Sequence, residues 1–214
     1  DGGKKSFCVS TQHYSFAVNA FVDLIKRYGQ DEYDFSIRET QTYEIIDDVA
    51  RMRSEIGILF MNDFNEKVLN KILRANDLEF HELFVAKPHV FISRKHPLAK
   101  NDIITNEELE AYPYLSFEQG EHNGQFFFEG LSAVAAQSHK TICVRERATE
   151  YQLLRALNGF SPDVGVSAMY REEFVSLPLE PKQFHTIGYI LRRDVTPSPM
   201  TLEYIQALQE AASI

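Results

Sequence analysis

The sequence has no apolar run of about 18 residues, so nothing in it is expected to span a membrane. Cysteine is scarce. Cys8 and Cys143 are the only two, far apart and each inside an apolar stretch. That spacing excludes a disulfide framework and a cysteine zinc motif, and two buried free thiols fit a reducing compartment. Basic charge is also short, with 22 Lys and Arg against 31 Asp and Glu and a net charge of −9. Phosphate contacts need a basic footprint, so this stretch is not expected to bind nucleic acid by itself. Low-complexity segments and internal repeats are missing. His81, His89, His96, His122, His139 and His185 lack metal-ligand spacing, so neither a metal nor a cofactor is expected. There is no Gly-x-Ser-x-Gly, no phosphate loop and no dinucleotide fingerprint. Ser10 and His13 do not make a nucleophile and base, because residues three apart across a helix start need not meet and no orienting acid is evident. An enzyme is therefore not expected. Asp1-Gly2-Gly3-Lys4-Lys5 leads straight into a strand-like run, so no signal peptide is read and a cytoplasmic protein is expected.

What is present is ordinary globular material. The 214 residues are 44% hydrophobic and 25% charged, enough to bury a sizeable core. Ser6 to Ser10 reads as a buried strand. Ser15 to Tyr28 carries Ala17, Ala20, Phe21, Leu24, Ile25 and Tyr28 at helical spacing, with Gly29 where a C-terminal cap belongs. Tyr33 to Arg38 alternates like a strand. A helix over Thr42 to Arg53 is expected to bury Ile45, Ile46, Val49 and Met52, with Asp47 and Asp48 on its exposed face. Ile56 to Phe60 is a third strand. A β-α-β-α-β order implies a parallel sheet covered by helices. After a short helix over Val68 to Ala75, Leu78 to Val85 and His89 to Arg94 are extended around Pro88.

The pattern then restarts. Thr105-Asn106-Glu107-Glu108 has the form of a capping box. Tyr114 to Phe117 is a strand, Gln125 to Gln137 a helix, Thr141 to Val144 a strand, Glu150 to Leu157 a helix and Val164 to Ala168 a strand. Phe184 to Leu191 is extended, and a helix over Thr201 to Ala212 closes the chain with Leu202, Ile205 and Leu208 on its core face. The chain builds one α/β unit, leaves it near Ala86, builds a second and returns near Ile187. We therefore expect residues 1–86 with 188–214 to form lobe I and residues 87–187 to form lobe II. Two Rossmann-like lobes joined by two crossing strands leave a cleft, and ligands of open α/β sheets favour the carboxyl ends of the strands.

Ser93-Arg94-Lys95-His96-Pro97-Leu98-Ala99, followed by Ile104-Thr105, Glu108-Leu109 and Tyr112-Pro113-Tyr114-Leu115, resembles the effector-binding domain of LysR-type transcriptional regulators. Further landmarks follow in family order: Val9-Ser10-Thr11 before the first helix, Leu154 to Gly159, Val164-Gly165-Val166-Ser167 and Tyr189 to Asp194. The resemblance covers nearly the whole chain. Two departures stand near the cleft of the family: Ser54-Glu55-Ile56-Gly57-Ile58 lacks the usual Asp, and the usual Gly-x-Gly is stretched over Gly159 to Gly165. The resemblance implies a type 2 periplasmic-binding-protein-like fold and a small-molecule effector in the cleft, with amino acids and small organic acids as common classes. It implies a homodimer or tetramer, with the Ser15 to Tyr28 helix against the partner's helix within Gln125 to Gln137. Phe126-Phe127-Phe128 then reads as a core and interface stripe. DNA is implied only through an N-terminal winged helix-turn-helix that this sequence does not match. An extracytoplasmic solute-binding protein of a transporter is the rival reading.

Ser10, Thr11 and Gln12, with His13 after them, lie between the first strand and helix. Small hydroxyl side chains there could simply cap the helix, or the same end could hold an anion; the resemblance favours the effector. Ser116 and Phe117 end a strand of the second lobe. Glu118 either receives a ligand ammonium or is solvated. Arg145 or Arg147 either binds a ligand carboxylate or pairs with Glu146 or Glu150. Thr149 is expected to start the next helix. Ser167, Met61 and Asn62 complete the expected lining.

Overall fold

The computed structural model of the chain describes residues 3–29, 31–122, 125–127, 129, 138–164, 172–180 and 183–212. They fall into two compact units, Asp1–Val85 with Thr186–Ile214, and Ala86–His185.

The first unit holds β1 (Lys5–Thr11), α1 (Ser15–Arg27), β2 (Tyr33–Glu39), α2 (Thr42–Ala50), β3 (Ile56–Met61), α3 (Glu66–Ala75), β4 (Leu78–Ala86), β11 (His185–Arg192) and α6 (Pro199–Ala212). The sheet order is β2-β1-β3-β11-β4. β1 runs parallel to β2 and β3, and β11 returns antiparallel to β3. Every residue of β3 is buried, as a strand covered on both faces requires. α1 lies against α6, where the Tyr204 hydroxyl donates to the Ala17 carbonyl at 2.8 Å and the Tyr204 ring meets Phe7 and Phe21 edge-on.

Local departures from the sequence reading have identifiable causes. α2 stops at Ala50, because Arg53 N–H and Ser54 N–H both fold back to the Asp48 carbonyl, at 2.8 and 3.2 Å. Met52 then takes a left-handed φ of 59° and is exposed rather than buried. Asp48 is fully buried, not on an exposed face. On α6 the inward position belongs to Tyr204 and Ile205, and Leu202 is exposed. Tyr28, not Gly29, closes α1, its N–H bonding to the Ile25 carbonyl.

The second unit holds β5 (His89–Ser93), β6 (Ile104–Thr105), α4 (Asn106–Leu109), β7 (Tyr114–Phe117), β8 (Thr141–Val144), α5 (Arg147–Leu157), β9 (Ser161–Asp163) and β10 (Phe174–Glu180). Gln125–Phe127 forms a short 3-10 turn, and the rest of the helix expected there lies outside the described residues. So does the expected strand beyond Val164. Strands assemble in the order β6-β10-β5-β9, with β7 and β8 as a separate parallel pair. The sequence reading passed over β10. Pro178 lies inside it, where the strand changes partner, pairing with β5 up to Pro178 and with β6 from Leu179. Thr105 and Glu108 form the expected capping box on α4. The thiols are less buried than expected: Cys8 is half-buried and Cys143 exposed. Cys143 alternates with the buried Val144 along β8 and so points away from the core.

His96 explains the His-Pro-Leu-Ala turn physically. Its Nδ1 accepts the Leu98 N–H at 3.0 Å, and its Nε2 lies 2.9 Å from the Asn158 carbonyl. Asn158 is the left-handed cap of α5. A neutral imidazole with its proton on Nε2 satisfies both contacts, so the turn after β5 is pinned to the end of α5. Burial lowers the His96 pKa, and the backbone hydrogen bond partly opposes this.

Two outcomes follow from these contacts. A Cβ at Gly188 would stand 2.3 Å from the His81 carbonyl oxygen, so Gly188→Ala should destabilise by about 1–3 kcal/mol or more. Gly29→Ala, with only ordinary contact at 3.6 Å, should be neutral or stabilise by up to about 1 kcal/mol. Urea unfolding of both variants checks the contrast. Burial also pushes the His185 imidazole down from 6.5 to about 4. Between those values the unfolded chain binds more protons than the folded one. Stability is therefore full above pH 6.5 and is lost as pH falls toward 4, by on the order of 3 kcal/mol. His185→Gln should flatten the fall in urea-unfolding free energy between pH about 7 and about 5. An unchanged slope would contradict the assignment.

Candidate functional site

In the first unit the connections after β1 and β3 leave from neighbouring strand ends, where ligands of such sheets collect. The chain turns sharply after β1. The Gln12 carbonyl accepts the Tyr14 N–H at 2.9 Å and the Thr11 hydroxyl at 2.8 Å, and Gln12 N–H donates to the Ile58 carbonyl at 3.0 Å. The Gln12 side chain bonds through both ends of its amide. Its Nε2 donates to Thr42 Oγ1 at 2.8 Å, while Oε1 accepts the Phe60 N–H at 3.0 Å and the Tyr14 hydroxyl at 2.9 Å. One amide thus joins β1, β3, α2 and the entry to α1.

Ser10, Thr11 and Gln12 are fully buried. The helix cap read from the sequence does not form: α1 starts after Tyr14, which makes no side-chain cap bond. Gln12, His13 and Tyr14 separate the hydroxyls from the first helical residue, Ser15. Ser10 Oγ instead donates to Asp48 Oδ2 at 2.6 Å and lies 2.7 Å from Ser54 Oγ. Asp48 also takes Arg38 Nη1 at 3.0 Å and Arg53 Nε at 2.9 Å. The sequence reading missed this carboxylate. A signal was available, because Asp48 stands three residues after Ile45 on the apolar stripe of α2. At the end of β3, Met61 is buried. Asn62 Oδ1 accepts the Phe64 and Asn65 N–H groups at 3.0 Å, and Asn65 Oδ1 accepts the Asn62 N–H at 2.8 Å. These two asparagines turn the chain into α3.

In the second unit, parallel β7 and β8 bring Ser116, Phe117, Glu118 and Arg145 together at their carboxyl ends. Ser116 is buried, with its Oγ 3.5 Å from Cys143 Sγ. Glu118 N–H donates to the Val144 carbonyl at 2.9 Å, which fixes the two strand ends against each other. Arg145 Nε lies 2.9 Å from Glu118 Oε1. Its ionic partner is therefore Glu118, not Glu146 or Glu150. Glu150 is buried and accepts the Ser161 hydroxyl at 2.6 Å. Thr149 is exposed in the first turn of α5, which begins two residues earlier than expected, at Arg147. Ser167 lies outside the described residues. No cluster of three or more metal-ligating side chains occurs among the described residues.

The family model described as LysR substrate binding domain matches residues 7–213. Among solved structures the chain is similar to the reduced OxyR regulatory domain from Pseudomonas aeruginosa, at 15% identity and TM-score 0.64, covering 96% of this chain and 98% of that one. It is similar to the regulatory domain of MetR from N. meningitidis, at 10% identity and TM-score 0.62, covering 98% and 94%. It is also similar to the effector binding domain of QuiR in complex with shikimate, at 19% identity and TM-score 0.61, covering 99% and 98%. At these identities the likeness is one of fold. A search of curated proteins finds no match.

The buried carboxylate yields a stability test. Asp48→Ala leaves the Ser10 hydroxyl without its acceptor and two guanidinium groups without their shared anion. Both arginines are partly solvated, so the loss should be about 2–3 kcal/mol rather than the larger value of a fully buried pair. Asp47→Ala removes a carboxylate that is itself partly exposed, and should cost under about 1 kcal/mol. Urea unfolding of the two variants measures the difference.

Proposed function

Since the chain belongs to the LysR substrate binding domain family, we propose that it is the ligand-sensing half of a LysR-type transcriptional regulator. The observation that carries this reading is the match across residues 7–213, which takes in both units. The transporter solute-binding protein weighed from the sequence is not favoured, because the matching family is one of regulators. Catalysis is not part of this reading.

The effector is a small molecule held at strand carboxyl ends. Ser10, Thr11, Gln12 and Met61 are the candidate residues of the first unit. Their hydroxyl and amide groups are occupied within the unit, so they shape the site more than they grip the ligand. Ser116, Phe117, Glu118, Arg145 and Thr149 are the candidate residues of the second unit, and the family resemblance adds Ser167 to the proposal. Amino acids and small organic acids are the expected classes, and the shikimate bound to QuiR supports the latter. Binding favours the conformation that holds the ligand better, and that preference is passed on to a DNA-binding domain. The working protein is a homodimer or tetramer in the cytoplasm. The described residues include no helix long and apolar enough to cross a membrane.

Thermal-shift screening of the dialysed chain against a metabolite panel that includes shikimate tests the reading. A ligand at about 100 times its Kd should raise the Tm by roughly 5–10 °C, and Ser116→Ala should reduce that shift. A panel in which no metabolite stabilises the chain would count against a sensor.

A further inference from the structure

We propose that Glu118 and Arg145 read a zwitterion, so that the ligand of this domain is an α-amino acid whose ammonium group meets Glu118 and whose carboxylate meets Arg145. This rests on the sensor reading and narrows it to one ligand class.

The pair stands where a ligand of parallel strands binds, Glu118 just after β7 and Arg145 just after β8. Its backbone is fixed by the bond from Glu118 N–H to the Val144 carbonyl. Its side chains remain reachable, at 39% exposure for Glu118 and 73% for Arg145. The contact uses only Nε of the guanidinium and only Oε1 of the carboxylate. Among the described residues nothing else bonds to Arg145 Nη1 or Nη2, or to Glu118 Oε2. The guanidinium therefore keeps a free two-pronged edge of the geometry that carboxylates take. Beside it the carboxylate keeps a free oxygen for a cationic donor.

Charge arithmetic decides among ligand classes. A simple organic anion would have to compete with Glu118 for Arg145, and would sit beside a like charge. A simple amine would compete with Arg145 for Glu118. An amino acid presents both charges a few ångströms apart and can lie antiparallel to the pair, so all four charges find opposite neighbours. An exposed ion pair is weak on its own, so it yields readily to a ligand that replaces both contacts. The cation at the end of β2, Arg38, is by contrast committed to Asp48 and Glu44.

The experiment is calorimetric titration and thermal shift of the chain with three matched sets of probes: the proteinogenic amino acids, the 2-hydroxy acids that lack only the ammonium group, and the amines that lack only the carboxylate. At least one amino acid should bind, its two analogues at least tenfold more weakly. Glu118→Gln and Arg145→Gln should each lose tenfold or more in affinity for that amino acid while keeping the wild-type melting temperature. Glu118→Gln should also gain affinity for the matched hydroxy acid, because Arg145 is then freed from its neighbour. A purely structural role for the pair would not produce that switch. A hydroxy acid binding the wild type as tightly as its amino acid, or full retention of amino-acid affinity by Glu118→Gln, overturns the inference and leaves the sensor reading standing. So does binding of shikimate or another metabolite when no amino acid binds. If nothing in either panel binds, both readings fall.

Discussion

The first unit is built around one carboxylate that never reaches water. Asp48 is fully buried on α2, and it gathers Ser10 from β1, Arg38 from β2 and Arg53 from the loop before β3. Its own carbonyl takes the Arg53 and Ser54 N–H groups and ends the helix. A buried charge is tolerable only when it is paired and hydrogen-bonded, so the positions of three separate segments are constrained together. Side-chain contacts from β1, β2 and the loop before β3 converge on this one carboxylate. It also determines where the Ser10 hydroxyl goes. A serine that looks available beside a helix start is held by the core instead.

The Gln12 amide works in the same way one turn further on. It makes three hydrogen bonds, to Thr42 of α2, to the Phe60 N–H of β3 and to the Tyr14 hydroxyl. Together the two side chains tie the strand ends of the first unit to α2. The second unit is arranged differently. His96 and Glu150 fasten its turns from inside, but the pair at the ends of β7 and β8 is left exposed with bonding capacity to spare.

Much of the architecture was legible because hydrophobic periodicity is a local property. The strands Tyr114–Phe117 and Thr141–Val144 fall where alternation and flanking turns put them, and the Thr105–Glu108 capping box forms as its spacing requires. β10 was not legible, since a proline inside a strand is tolerated only by virtue of the partner change that surrounds it. Met52 and Leu202 fit helical stripes and yet are exposed. In one case the helix ends early, and in the other Tyr204 fills the inward position.

By itself the sequence determined the strands and helices of the first α/β unit, the family resemblance and the set of polar residues at the strand ends. All of these follow from patterns within a few residues of each other or from their succession along the chain. Only the tertiary structure decided what each polar group faces. Ser10 meets Asp48 across 38 residues and Arg145 meets Glu118 across the β7–β8 pair. Hydrogen-bonding capacity is finite, so which groups remain for a ligand depends on which partners folding has already supplied.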